Sequence, residues 1–171
     1  MSGQRVDLRG QAGSSRQVEE REDAVSAAVR WEVIDRVLFA RWTNPPSKQD
    51  VNTLLSEATA LRERIGPPLI YVACIDARVK IPNAEERANL NDMLSRGRTL
   101  AESAHIVIEG SDLQNSLQRV IISGMLIVTR TYDDYLSVHK NIESVAPDVS
   151  RRLGKDAAPI IQQARERGLV V

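Results

Sequence analysis

The stretch YVACIDARVKIPNAEER, residues 71–87, decides the fold of this chain. An apolar run ends at Asp76, a short basic loop follows, and Asn83 with Glu86 three residues later forms the capping pattern that begins a helix. The full run LIYVACID, residues 69–76, is apolar on both faces, which is typical of a central parallel strand covered on two sides. The stretch therefore predicts a strand, a loop and a helix within a parallel sheet.

Upstream of this unit, VRWEVIDRVLFARW (residues 29–42) predicts a β-hairpin with a two-residue turn at Asp35 and Arg36. This register places three pairs of residues opposite each other on one face: Val29 with Trp42, Trp31 with Ala40, and Val33 with Leu38. The other face would then be partly solvated and would carry Arg30, Glu32, Phe39 and Arg41.

Two helices are predicted around the central strand. Lys48 to Ile65 has apolar residues at helical spacing, with Ser47 as N-cap and Gly66 as the C-terminal stop. The helix that Asn83 begins is predicted to turn a second apolar set inward, namely Leu90, Met93, Leu94, Gly97, Leu100 and Ala101.

Farther along the chain, HIVIEG (residues 105–110) predicts a short strand, and Ser111 with Gln114 repeats the capping pattern. The helix predicted after Ser111 runs to Val128, although its VIISGMLIV segment is also rich in the β-branched residues of strands.

YLSVHK (residues 135–140) alternates as a last strand, and Asn141 begins a helix that Pro147 kinks or restarts. The final KDAAPIIQQARERGLVV contains a short helix after Pro159 and an apolar end that packs back or docks elsewhere.

The order of elements predicts an α/β domain at residues 25–154, with a starting β-hairpin, alternating helices and a mainly parallel sheet. Residues 1–24 have almost nothing to bury and are predicted to be a disordered tail. Residues 155–171 are predicted to form a C-terminal helical extension.

Composition limits the classes of partner. The chain has 23 Lys and Arg against 23 Asp and Glu, so no net charge attracts it to nucleic acid or to an anionic membrane. Its single cysteine excludes an internal disulfide framework, and no apolar run reaches the length of a membrane span. Since no signal-peptide pattern is visible either, we expect a cytoplasmic protein.

The hairpin, the helix that ends at Gly66 and the strand that ends in Asp76 together resemble the STAS fold, typified by the sporulation anti-sigma-factor antagonists. The resemblance covers residues 29–153 and implies a STAS-like fold and a non-catalytic protein-binding switch. In that family a serine or threonine directly after the strand-ending aspartate is phosphorylated. The corresponding positions here, Ala77, Arg78 and Val79, carry no hydroxyl, so the phosphorylation switch does not carry over.

The carboxyl ends of parallel strands and the amino ends of the following helices share one edge of the sheet, where ligands of such sheets bind. Asp76, Glu109 and Asn141 are predicted to lie on this rim. Two interpretations of Asp76 remain open: a recognition surface with Arg78 and Lys80, or a structural acceptor of backbone N–H groups in its own loop. The predicted partner-binding residues are Asp76, Arg78, Lys80, Asn83 and Ser111.

The remaining reactive side chains do not predict a catalytic site. If His105 begins its strand and Glu109 ends it, they lie about 13 Å apart at opposite edges of the sheet. His139 then stands alone, so we predict no acid–base pair, no metal site and no cofactor. Cys74, inside the central strand, is expected to be a small buried apolar residue.

Three functional hypotheses follow. The first is a non-enzymatic regulatory module that binds another protein through the loop 77–83 and the helix after Ser111. The alternative is a small-ligand or lipid binder of the same superfold, with its pocket between the sheet and the helix 117–128. A third possibility is a homo-oligomer that associates through the C-terminal segment.

Overall fold

The computed structural model describes residues 28–110, 118–119 and 134–171. The predictions for the tail 1–24, for Ser111 and for most of the helix after it concern residues outside these ranges.

Within the described ranges, five strands form one sheet in the order β1-β2-β3-β4-β5, with β1 antiparallel to β2 and every other neighbouring pair parallel. The mainly parallel α/β sheet with a starting hairpin is therefore confirmed. The elements are β1 (Val29–Ile34), β2 (Val37–Trp42), α1 (Lys48–Ile65), β3 (Leu69–Ile75), α2 (Ala84–Gly97), β4 (Ala101–Ile108), β5 (Leu136–His139), a 3-10 helix (Ile142–Ser144), α3 (Ala146–Leu153) and α4 (Ala158–Glu166).

The register of the hairpin matches the prediction: Val29 pairs with Trp42, Trp31 with Ala40, and Val33 with Leu38. The turn places Asp35 at φ 61, a left-handed conformation that aspartate tolerates better than most residues.

The prediction for the other face of the hairpin was wrong for Phe39. This side chain is only 1% exposed and packs in a core beneath α3, α4 and the C-terminal residues. The sequence pattern of the hairpin alone could not show that a distant C-terminal segment covers this face.

The sheet separates two apolar cores. α1 and α2 pack on one face, and α3 and α4 pack on the other. Side chains of β3 alternate between the two cores, which confirms the prediction of a central strand covered on both sides. Leu69, Tyr71 and Ala73 enter the first core, and Ile70, Val72 and Cys74 enter the second.

The predicted caps of α1 and α2 are confirmed. Ser47 forms a capping box with Asp50, Gly66 ends α1 at φ 93, and Asn83 forms a capping box with Glu86. The predicted extent of α2 was too long, because the helix ends at Gly97 and Ala101 already pairs with Leu69 of β3. Here the backbone hydrogen bonds of the sheet replace another turn of helix.

The chain after β5 behaves largely as predicted. Asn141 caps the 3-10 helix, and α3 begins at Ala146 with Pro147 in its first turn, so the proline restarts a helix. The apolar end packs back, since Leu169 and Val170 are 0% and 3% exposed in the second core.

Candidate functional site

The carboxyl ends of β2, β3 and β4 lie side by side, because these three strands are parallel neighbours. Asp76 and Glu109 directly follow β3 and β4 and meet at this edge, as predicted. Asn141 follows β5, where its side chain accepts the Ser144 backbone N–H at 3.1 Å and so caps the 3-10 helix. We call six of the charged residues at this edge the carboxyl-end rim: Arg41, Asp76, Arg78, Lys80, Glu86 and Glu109.

Arg41 joins the ends of the three strands. Its guanidinium donates two hydrogen bonds to Glu109, each 2.9 Å long, and one of 2.8 Å to Asp76. All three side chains are at most 16% exposed, so this network is largely removed from water. Burial lowers the pKa of Arg41, but the hydrogen bonds to Glu109 and Asp76 outweigh it and the net pKa is raised.

The sequence pattern did not predict this role of Arg41, which was expected to lie on a partly solvated face. The sequence did hold a signal for it: Arg41 stands next to the last residue of β2, and the carboxylate of Asp76 directly follows β3. The strand order needed to read that signal comes only from the structure.

Asp76 serves the structural role that was one of its two interpretations. Its Oδ1 accepts the Arg78 backbone N–H at 3.0 Å and the Arg78 Nε–H at 2.9 Å. These bonds from Arg78, together with the hydrogen bond from Arg41, hold the pKa of Asp76 well below its ordinary value despite burial. Asp76 is therefore an ionised anchor of its own loop.

The charges of the rim are arranged by sign. The three carboxylates turn inward, with Asp76, Glu109 and Glu86 only 9%, 13% and 18% exposed. Two of the three cations turn outward: Arg78 is 88% exposed while it binds Asp76, and Lys80 is 64% exposed with its Nζ 2.8 Å from Glu86. The rim thus presents guanidinium and ammonium donors to solvent, groups that bind carboxylates and phosphates.

The loop that carries these cations is fixed at its centre. Val79, between Arg78 and Lys80, is 4% exposed, and its carbonyl accepts a hydrogen bond of 2.6 Å from the buried Gln118 side chain. Asn83 closes the loop as the N-cap of α2. Of the five predicted partner-binding residues, the structure brings Asp76, Arg78, Lys80 and Asn83 together, while Ser111 lies outside the described residues.

Two small cavities are both lined by Tyr71 and Met93 of the first core. One has a volume of about 40 Å³ and the other about 30 Å³. Ligand pockets are usually about 300 to 1,000 Å³, so each cavity has room for only a few water molecules. Trp42 Nε1 donates a 3.1 Å hydrogen bond to the Tyr71 hydroxyl beside both.

The two histidines form a cluster on the face of the sheet that α3 covers, and the prediction that His139 stands alone was wrong. His105 Nδ1 lies 3.2 Å from His139 Nε2, and Ser137 Oγ lies 2.9 Å and 2.8 Å from these two nitrogens. The error arose because β4 begins at Ala101 and not at His105, so His105 lies within the strand and beside β5.

This cluster faces α3. Asp148 Oδ2 lies 3.2 Å from His105 Nε2, but the two groups are not aligned to form a hydrogen bond. The same carboxylate oxygen forms an ion pair with Arg152 Nε at 2.5 Å. Burial first, and then the neighbouring His139, lower the pKa of His105 to about 4; burial also lowers the pKa of His139. Both rings are therefore neutral at pH 7.

Cys74 behaves as expected for a buried apolar residue, since burial raises the pKa of its thiol to about 12. In the described part of the chain, no group of three or more His, Cys, Asp and Glu side chains is arranged to hold a metal ion. Nor does any helix within the described ranges combine the length and the apolarity needed to cross a membrane.

Comparison with known proteins adds no relative: no family model, no curated protein and no solved structure matches this chain.

Proposed function

We propose that this chain is a cytoplasmic, non-enzymatic regulatory module of STAS-like fold that binds an acidic surface of another protein at its carboxyl-end rim. The observation that carries the proposal is the sorting of charge at the rim: the carboxylates of Asp76, Glu86 and Glu109 turn inward, and Arg78 and Lys80 turn outward.

Charged groups at an interface contribute mainly to association rate and to the choice of partner. They do so best when they are held in place before binding, because less side-chain entropy is then lost. Arg78 meets this condition through its bonds to Asp76, and Lys80 through its ion pair with Glu86. The buried Val79 between them fixes the loop to the core.

The resemblance to the anti-sigma-factor antagonists supports a protein partner, and the rim suggests how this chain differs from them. In that family, phosphorylation after the strand-ending aspartate controls binding. At the corresponding positions this chain has a partly buried Ala77, an Arg78 bound to Asp76, and a buried Val79. We therefore infer that phosphorylation of this loop does not control binding.

The alternative, a small-ligand or lipid binder, had its pocket between the sheet and the helix 117–128, most of which lies outside the described residues. Within the described ranges, the two cavities beside Tyr71 and Met93, about 40 and 30 Å³, are far smaller than a lipid needs. Native mass spectrometry of the freshly purified protein distinguishes the hypotheses, because a stoichiometric bound mass would favour the ligand binder.

The rim proposal is tested with two charge-reversal variants. Arg78→Glu with Lys80→Glu reverses the outward cations of the rim. Arg64→Glu with Lys155→Glu makes the same change in net charge at exposed residues near the opposite ends of the strands. A partner is first isolated from the native organism with the wild-type protein, then purified and titrated against each variant by calorimetry.

We expect the rim variant to lose at least about tenfold in affinity and the control variant to bind like the wild type. Circular dichroism must show that both variants are folded. Equal binding by the two folded variants would refute the rim as the docking surface.

A further inference from the structure

The imidazoles of His105 and His139 and the hydroxyl of Ser137 form a compact triangle of donor atoms. The sides of this triangle are 3.2, 2.9 and 2.8 Å. The rings have centroids 5.3 Å apart and are inclined at 48° to each other. The two histidine nitrogens and the hydroxyl oxygen thus lie at hydrogen-bonding distances from one another, which are shorter than van der Waals contacts.

The register of the sheet produces the triangle. His105 of β4 is paired with Ser137 of β5, and His139 is two residues farther along β5, on the same face. Neighbouring strands lie about 4.8 Å apart, so paired and diagonal side chains on one face are within reach of one another. The arrangement therefore depends on backbone pairing and not on the conformation of a loop.

We propose that His105, His139 and Ser137 bind one divalent transition-metal ion of the imidazole-binding kind, such as Cu²⁺, Ni²⁺ or Zn²⁺. The proposal goes beyond the protein-binding function and is independent of the rim. The two histidine nitrogens would be the principal ligands, with Ser137 and water in the remaining positions.

The spacing of the donor atoms supports this proposal. Histidine nitrogens bind such ions at about 2.0 to 2.1 Å, so neighbouring ligand atoms lie about 3.0 Å apart in octahedral geometry and about 3.3 Å apart in tetrahedral geometry. The 3.2 Å between His105 Nδ1 and His139 Nε2 falls between these values. The two ring nitrogens are therefore already spaced as neighbouring ligands of one ion.

The surroundings of His105 also suit a metal ligand. A ligating histidine commonly directs its second ring nitrogen toward a carboxylate, which fixes the orientation of the ring. Here Asp148 Oδ2 lies 3.2 Å from His105 Nε2, and Arg151 and Arg152 hold that carboxylate in place. If His105 binds the ion through Nδ1, its Nε2 carries the proton and can donate a hydrogen bond to Asp148.

An ion can reach the donors from solvent. His105, Ser137 and His139 line an open groove of about 700 Å³, together with Asp134, Leu136, Asp148, Arg151 and Arg152. His105 itself is 4% exposed, whereas His139 and Ser137 are half-buried toward the groove. In the groove the charges of Asp134 and Asp148 balance those of the two arginines, so coordination to nitrogen, and not a negative field, would drive binding.

The test exploits the fact that the chain has only two histidines. Purified full-length protein is stripped with chelator and titrated with Cu²⁺, Ni²⁺, Zn²⁺ and Mg²⁺ by calorimetry, and the Cu²⁺ complex is studied by electron paramagnetic resonance. We expect one ion per chain, tightest for Cu²⁺ in the usual order of affinities, and no binding of the oxygen-preferring Mg²⁺. The Cu²⁺ spectrum should show two imidazole nitrogens.

Two variants assign the ligands. His139→Gln should weaken binding at least about tenfold and leave one imidazole nitrogen in the spectrum. Ser137→Ala should weaken binding less, and Ser95→Ala, at an exposed serine of α2, should have no effect. Thermal unfolding without metal shows whether each variant is folded. Absence of saturable binding by the wild type, or unchanged binding by folded His139→Gln, would overturn the proposal.

Discussion

Arg41 and Glu109, 68 positions apart in the chain, are joined by two parallel hydrogen bonds of 2.9 Å each. The same guanidinium also bonds to Asp76, so one side chain of β2 connects the ends of β3 and β4. Such a planar fork matches a carboxylate in both distance and direction. The rim is therefore part of the framework of the sheet as well as a candidate docking surface, and changes to its inner and outer members should have different effects.

Replacing the inner cation should destabilise the fold. Arg41→Ala leaves Asp76 and Glu109 largely buried and facing each other, with Arg78 still bound to Asp76. We expect a loss of about 3 kcal/mol in the free energy of unfolding, measured in urea. Arg96→Ala removes an arginine that is 48% exposed and should cost less than about 1 kcal/mol. Equal losses for the two variants would show that the rim network contributes no special stability.

Acid should lower the free energy of unfolding in part because Asp76 becomes protonated. Its pKa in the folded state lies well below the value near 4 of the unfolded chain, so the unfolded state takes up a proton first as the pH falls. The contribution of Asp76 is thus complete above about pH 5 and decreases below about pH 4. The gap in unfolding free energy between the wild type and Asp76→Asn should narrow from pH 7 to pH 3. Asp92→Asn, at an exposed carboxylate, controls for the change in net charge. A constant gap would contradict the prediction.

Local signals in the sequence predicted most of the fold. The capping residues Ser47 and Asn83, the stop at Gly66 and the two-residue turn at Asp35 each depend on a few neighbouring residues, and the structure confirms them. Phe39 was misjudged because its partners come from α3 and α4, more than a hundred residues away. Local pattern cannot reveal which distant segment covers a face.

The candidate sites depend even more on contacts between distant segments, which local sequence patterns do not reveal. The sequence places Asp76 and Glu109 at strand ends, and the rule for parallel sheets brings them to one edge. It does not show that Arg41 lies between them, because that depends on β2 being the neighbour of β3. The pairing of His105 with Ser137 depends in addition on the first residue of β4, which was misplaced by four positions.

The hydrogen bond between Trp42 and Tyr71 should contribute measurably to stability. Tyr71→Phe removes the acceptor of the Trp42 N–H inside the first core, where both side chains are buried. A buried donor without a partner costs about 1 to 2 kcal/mol, and we expect a loss of that size in urea unfolding followed by tryptophan fluorescence. An unchanged free energy of unfolding in Tyr71→Phe would contradict the prediction.

The C-terminal residues should act as part of the core and not as a self-association segment. Leu169 is fully buried in the second core, and the neighbouring Val171 is 74% exposed. Leu169→Ala should therefore lower the free energy of unfolding by about 2 to 4 kcal/mol, while Val171→Ala should leave it unchanged. Light scattering of the folded wild type and both variants should give the same mass per particle. Dissociation of a larger assembly by Leu169→Ala, with no loss of stability, would instead place this segment at an interface between copies of the chain.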